Sequence, residues 1–357
     1  MFKRLGLLSV VVALLLAVVG VQAQDSVKVG PITQRILDRG SLICGTNPGL
    51  AGFAFVNDAG EYEGFDVDTC RAVAAAILGD ATKVEFKPLN ADQRQAAIQS
   101  EEIDMMARNT TYTLSRDAVW GATFGPTTFY DGQGFAVKTD SKITTIEELD
   151  GLTVCVQSGT TTELNLADAF QARGLKYTAQ VFTEAQPTWD AFVQGRCDAF
   201  TTDKSGIAAY RATSPDPSAY TILDITISKE PLGPLSPQSD PQFADIVRWT
   251  MYGLIQAEEY GITSANVDGV VAGTDATIKL SPEVRRFLGQ PGEDGTPNAI
   301  GSLYGIPNDF MVTVIKQVGN YGEIFDRNLG PDTPFGLSRV LNALWTDGGL
   351  MYSPPFR

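Results

Sequence analysis

Three short apolar runs, Leu42-Ile43-Cys44-Gly45-Thr46, Lys83-Val84-Glu85-Phe86-Lys87 and Ile103-Asp104-Met105-Met106, decide the fold class of this chain. Each has the length and residue types of a buried strand. Between the first two, Asp66 and Asp68 offer N-caps to a helix over Thr69–Leu78, which Gly79 would end. Between the second and third, Asp92 opens a helix carrying Ala96, Ala97 and Ile98. Strand, helix, strand, helix, strand is the rhythm of a parallel sheet covered by helices, so the class is α/β.

The rhythm repeats further along. Strands are expected at Leu152–Gln157, Ala179–Phe182 and Cys197–Thr202. Helices are expected from Ser158–Thr162 to Arg173, from Glu184 to Gln194 and from Lys204 to Arg211. Thr145 and Glu148 carry the spacing of a capping box. Two such units in one chain suggest two lobes facing a cleft, with ligand beyond the carboxyl ends of the strands. Those ends carry Asn47, Asn109, Thr111, Gln157, Ser158–Thr162 and Asp203, a polar set on loops. The last third differs: one long helix over Pro241–Glu259, a stretch rich in Gly, Asp and Thr to Pro307, a helical region over Asp309–Asn328 broken near Gly319, and an irregular tail.

Bulk properties narrow the function. Lys3 and Arg4 precede an apolar run to Val19, and small residues lead to Ala23, so residues 1–23 read as a secretory signal cut near Ala23. The net charge of −15 disfavours nucleic acid and anionic lipid partners. The absence of histidine removes Ser-His and Cys-His nucleophile systems and His-based zinc sites. No metal or cofactor is expected. An exported chain meets an oxidising compartment, so Cys44, Cys70, Cys155 and Cys197 are expected as disulfides, with three pairings open. Pairs Cys44–Cys70 and Cys155–Cys197 keep each bridge inside one lobe. The spacings lack the C-x-x-C of a zinc site.

Four motifs in order carry a resemblance: Gly64-Phe65-Asp66-Val67-Asp68; Thr110-Thr111-Tyr112-Thr113-Leu114-Ser115-Arg116; Gln157-Ser158-Gly159-Thr160-Thr161; and Gly195-Arg196-Cys197-Asp198-Ala199-Phe200-Thr201-Thr202-Asp203. Together they resemble the polar amino acid-binding proteins of ABC transporters, the family that includes glutamine-binding protein. Arg108-Asn109-Thr110-Thr111, the run Val154–Asp168 and Ile227–Pro234 are similar to the general L-amino acid-binding subfamily. The resemblance implies a type II periplasmic binding protein fold: two lobes, each a parallel-rich sheet with flanking helices, joined by a two-stranded hinge. It implies lobe 1 over 24–132 and 232–258, lobe 2 over 138–226 and hinge segments at 133–137 and 227–231. Residues 259–357 then form a largely helical insertion and C-terminal extension packing on lobe 1.

The implied function is capture of L-amino acids of broad specificity in the periplasm, by hinge closure, for delivery to an inner-membrane ABC permease and its ATPase by a monomeric carrier. The resemblance assigns Arg116 and Thr111 to the ligand α-carboxylate, with a backbone N–H from Thr161. It assigns Asp203 and the Asn109 carbonyl to the α-ammonium. Asn47 and Gln157 stand where glutamine-binding proteins carry charged residues, so with Leu50, Phe53 and Asn90 they are expected near the variable side chain. Plainer roles exist for the same residues. Arg116 can pair with Asp117, Asp203 can cap the next helix, and Ser158–Thr162 can be a simple strand–helix turn. Gly64–Asp68, Trp120 and Trp189 are expected to be structural. The competing enzyme reading is a periplasmic prephenate or arogenate dehydratase on the same fold, with Glu163 or Asp203 as acid or base. A sensor ectodomain is a third class.

Overall fold

A computed structural model describes residues 29–357. The expected signal, residues 1–23, lies outside them. Two five-stranded sheets organise the chain. In the first the order is Val84–Pro88, Leu42–Thr46, Met105–Met106, Leu235–Pro237 and Ala122–Phe124. In the second it is Thr178–Phe182, Thr153–Gln157, Ala199–Asp203, Gln133–Lys138 and Tyr220–Ile222. The first three strands of each sheet are parallel, and the fourth runs antiparallel to the third. Both sheets are thus mixed, with the same strand pattern.

The chain crosses between the sheets through Phe129–Asp131 and Glu230–Leu232, which pair antiparallel. This corrects the expected hinge. Residues 133–137 belong to Gln133–Lys138, an interior strand of the second sheet bonded to Ala199–Asp203 and Tyr220–Ile222. Residues 227–229 approach that same strand, where the Ile227 N–H donates to the Gln133 carbonyl. The two-stranded connection therefore lies just before the first expected segment, and overlaps the second at residues 230–231.

The helix after the first strand also starts earlier than expected, spanning Phe65–Leu78 with Gly64 as N-cap. Gly64 has φ 132°, and a Cβ there would collide with the Phe53 carbonyl oxygen, so only glycine fits. Asp66 and Asp68 sit in the first turn, where the helix dipole favours acids, and they do not cap. Asp66 accepts from the Asn109 N–H at 2.7 Å. Asp68 binds Arg71 and, from the extension, Arg327 and Asn328. Nearly every side chain of Phe65–Leu78 is buried, because the sheet covers one face and the helices Pro241–Glu259, Phe310–Val318 and Tyr321–Asn328 cover the other.

Among the described residues, the extension packs on the first lobe. Gln317 bonds the Ala81 N–H and the Gly79 carbonyl. The Tyr321 hydroxyl donates to the Thr128 carbonyl. Asn342 bonds both backbone groups of Tyr130, on the crossing strand. In the second lobe Trp189 packs on Phe192, Phe200, Tyr210 and Tyr220, a structural role as expected. Thr145 does not cap; Glu148 alone reaches back to the Thr144 and Thr145 N–H groups.

Disulfides join Cys44 to Cys70 and Cys155 to Cys197, one inside each lobe. They close loops with sequence separations of 26 and 42. On chain entropy alone each stabilises by roughly 3–4 kcal/mol. The double variant Cys155→Ser, Cys197→Ser should lose about that much in urea unfolding, with the first lobe's bridge intact. An unchanged midpoint would contradict a stabilising role.

Candidate functional site

The parallel strands of both sheets end at the same cleft. Leu42–Thr46 delivers Asn47, and Met105–Met106 delivers Arg108 and Asn109. From the other lobe Thr153–Gln157 ends in Gln157 and Ala199–Asp203 ends in Asp203. Asn47, Arg108, Asn109, Gln157, Asp203 and Tyr210 line an inner cavity. Arg116, Trp120, Thr161 and Glu163 line an adjoining outer part of the cleft. The expected single pocket is therefore divided, with Arg116 and Thr161 in the outer part and Asp203 in the inner.

Thr111 and Thr161 stand between. Their hydroxyl oxygens, from opposite lobes, lie 3.3 Å apart. Both donate to Glu230 Oε2, at 2.6 and 2.9 Å. Glu230 Oε1 accepts from Asn165 Nδ2 at 2.7 Å and from Ser228 Oγ at 2.6 Å. A buried carboxylate on the crossing strand is thus held by four neutral donors from both lobes. The hydroxyl of Thr111, expected to meet ligand, is committed to Glu230 in this arrangement. Arg94 adds a second link between lobes, donating from Nη2 to the Gly159 carbonyl at 3.1 Å.

Asn109 has φ 34°, a left-handed backbone that few non-glycine residues adopt. Asp66 holds it by the N–H, and Asn47 Nδ2 donates to its side-chain oxygen at 3.0 Å. Strain held in place by surrounding bonds is common at ligand sites. Gln157 donates to the Thr183 carbonyl. Arg116 sits in the helix Leu114–Val119, capped by Thr113. Its Nη1 donates to the Thr111 carbonyl at 2.9 Å, and its Cζ lies 5.1 Å from the centroid of the Trp120 ring. The same ring carries Arg94 at 5.5 Å, so Trp120 is a platform for two guanidiniums as well as a packing residue. Arg116 makes no ion pair with Asp117.

Asp203 is buried, and among the described residues no group donates to its carboxylate. It does not cap the helix Lys204–Ala212 that follows. Burial raises its pKa well above the usual aspartate value; Asp131 and Glu230 add to the rise, and Arg116 and Arg94 oppose it. Asp131 is pushed up to about 6, mainly by burial. Asp66 is pushed up to about 7 by burial, against the Asn109 N–H and Arg108. Burial lowers the pKa of Arg94, Arg108 and Arg116.

Of the expected contacts, Asn47, Asn109, Gln157 and Asp203 share the inner cavity; Leu50 joins them, whereas Phe53 packs in the first-lobe core. Glu230, Arg94, Arg108 and Tyr210 were not anticipated. Arg108 and Glu230 lie inside quoted motifs, but no local pattern separates a cleft-facing charge from a surface one. Among the described residues no cluster of three or more acidic or cysteine side chains is arranged to hold a metal ion, and no helix is long and apolar enough to cross a membrane.

The chain is similar to known proteins over most of its length. Residues 42–286 match the bacterial extracellular solute-binding proteins, family 3. The chain is 46% identical to the general L-amino acid-binding periplasmic protein of Rhizobium johnstonii, over 98% of this chain and 99% of that one. It is 49% identical to the glutamate/glutamine/aspartate/asparagine-binding protein of Rhodobacter capsulatus, covering 89% and 91%. A solved periplasmic binding protein of an ABC transporter from Brucella ovis, with glutathione bound, superposes with a TM-score of 0.86 at 46% identity, covering 91% and 99%.

The raised pKa of Asp66 has a signed consequence. Its folded value, about 7, lies above the ordinary 3.8, so the folded state keeps the proton longer than the unfolded chain. Its contribution to stability is complete below about pH 4 and is lost as pH rises through 7. Asp66→Asn, which can still accept from Asn109, should gain stability relative to the parent across that window, by up to about 1.4 kcal/mol per pH unit. Denaturant unfolding of both proteins between pH 4 and 8 measures the difference; a flat difference contradicts the assignment.

Proposed function

The chain belongs to the bacterial extracellular solute-binding proteins, family 3, with their two-lobed periplasmic binding protein fold, and on that premise we propose that it captures free L-amino acids. The observation that carries the reading is the pair of unmet charges on facing lobes. Asp203, from the second, is a buried carboxylate with no donor among the described residues. Arg116, from the first, is a buried guanidinium that spends one nitrogen on a backbone carbonyl and has no carboxylate within ion-pair distance among those residues. A zwitterion supplies both missing partners. Its α-carboxylate takes the remaining donors of Arg116 and the N–H at the start of the helix Thr161–Arg173, whose dipole favours an anion. Its α-ammonium takes Asp203 and the Asn109 carbonyl.

Division of the cleft into inner and outer parts fits this. The ligand's constant part would lie where Thr111 and Thr161 now meet Glu230, with its side chain in the inner cavity. Arg94–Gly159 and Glu230–Asn165 already bridge the lobes, so the arrangement is a closed one. Opening would bend the crossing strands Phe129–Asp131 and Glu230–Leu232, which lie outside both five-stranded sheets. Ligand contacts made from both lobes favour the closed form, because only there are all of them available. The glutathione of the Brucella structure carries a free α-ammonium and α-carboxylate, which is consistent with recognition of that pair.

The relatives' names support a periplasmic location and delivery to an ABC permease with its ATPase. Their names describe binding proteins, and the dehydratase reading gains nothing from them. The proposal gives Asp203 to the ligand ammonium, and the Glu163 carboxylate accepts from the Gly159 N–H, on its own helix-opening turn.

Calorimetry of the exported chain against the twenty L-amino acids tests the proposal. Binding is expected for the wild type, with affinity falling at least 100-fold in Arg116→Ala and in Asp203→Ala while the melting profile stays cooperative. Unchanged affinity in both variants would falsify the site.

A further inference from the structure

A groove runs behind the crossing strands, away from the inner cavity. Its floor is Phe129–Gly132. One wall is the helix Lys204–Ala212 of the second lobe, through Lys204, Ala208 and Arg211, with Ile222 and Thr226 beside it. The same helix lines the inner cavity through Gly206 and Tyr210. At 3.6 residues per turn these two sets fall on opposite faces, so groove and cavity flank one helix. The other wall is a stretch of the C-terminal extension, Phe335–Asn342.

That stretch is fixed to the first lobe and to the crossing. Arg339 donates from both terminal nitrogens to Glu258, at 3.0 and 3.1 Å, and its Cζ lies 4.9 and 5.0 Å from the ring centroids of Tyr321 and Phe325. Asn342 holds both backbone groups of Tyr130, at 2.6 and 3.2 Å. Between these anchors Val340 and Leu341 project outward, 72% and 47% exposed. Val340 has φ 44°, a left-handed backbone that β-branched residues rarely adopt. Such strain persists only where the surroundings impose it, and here Arg339 and Asn342 do so on either side. Among the described residues no hydrogen bond joins Phe335–Asn342 to the second lobe. In the closed arrangement, therefore, two apolar side chains are held in a costly turn beside a groove they do not fill.

We propose that Val340 and Leu341 form a back-stop for the hinge, packing on the rear face of Lys204–Ala212 when the cleft opens and so stabilising the open form. The inference rests on the hinge motion proposed above, and not on which ligand enters. A rotation about the crossing strands that widens the cleft narrows the groove behind them. Ala208, Ile222 and the aliphatic stems of Lys204 and Arg211 then offer apolar surface to the two side chains. The area buried there offsets bonds that opening breaks, those of Glu230 and of Arg94 across the lobes. Those bonds need no ligand and favour closure of the empty protein. The extension supplies the opposing contact, and ligand binding then tips a balanced equilibrium.

The double variant Val340→Asn, Leu341→Asn tests this in the exported chain, because asparagine tolerates the left-handed backbone and removes the apolar contact. X-ray scattering of the ligand-free wild type should give a larger radius of gyration than the closed structure, and the variant should fall toward the closed value. Calorimetric affinity should rise by about threefold or more, by the same factor for every L-amino acid that binds, because only the ligand-free equilibrium has changed. Leu341→Asn alone should show a smaller shift of the same sign, and it serves if the double variant does not fold. A radius of gyration and affinities unchanged from wild type would overturn the inference. So would weaker binding, or a ligand-free wild type already as compact as the closed structure. If the wild type binds no L-amino acid, the reading of Arg116 and Asp203 fails, and the scattering comparison still decides the back-stop.

Discussion

Three guanidiniums and three carboxylates are buried around one cleft without forming a single ion pair among the described residues. Arg94, Arg108 and Arg116 are each less than 10% exposed, as are Asp66, Asp203 and Glu230. Burying an ion costs several kcal/mol unless something replaces its water. Each group meets that demand differently. Glu230 collects four hydrogen bonds from neutral donors. Arg94 and Arg116 rest on Trp120 and donate to backbone carbonyls. Asp66 and Asp203 respond by holding protons to higher pH. Among the described residues, Asp203, Nη2 of Arg108 and the far side of Arg116 keep no hydrogen-bond partner, which makes them the groups open to a ligand in the proposed reading.

Such an arrangement collapses into direct pairs unless the backbone keeps the charges apart. Two stiff sheets with the same strand pattern do this, each locked by one disulfide between an interior strand and a neighbouring element. Arg116 and Asp203 belong to different lobes, so their separation is set by the crossing strands and by the contacts that close the cleft. The left-handed backbone at Asn109 is part of the same device. It turns the chain immediately after Arg108, and the Asp66 carboxylate on its N–H ties that turn to the first core helix. Extension residues reinforce the base of this helix through Asp68, and Asn342 grips the crossing strand at Tyr130. The C-terminal third therefore stiffens the first lobe and one side of the crossing, while contributing no side chain to the inner cavity.

By itself the sequence determined the alternation of strands and helices, and hence which residues end the parallel strands. Asn47, Gln157 and Asp203 line the cavity because each ends a strand whose apolar run is visible without coordinates. The disulfide pairing followed from the same division into units. Tertiary structure alone decided the rest, because it depends on partners far away in the chain. Residues 133–137 read as a connector but lie inside a sheet, since a short apolar run becomes a strand only when neighbours at 199–203 and 220–222 bond to it. Asp66 and Asp68 have the spacing of caps, yet a glycine with φ 132° starts the helix and frees both carboxylates for distant partners. Glu230 meets Thr111 across 119 residues, and Tyr210 faces Arg108 from the other lobe. Local periodicity reports which face of an element is apolar. It carries no information on which two charges the fold will bury side by side, and that is a matter of three-dimensional closure.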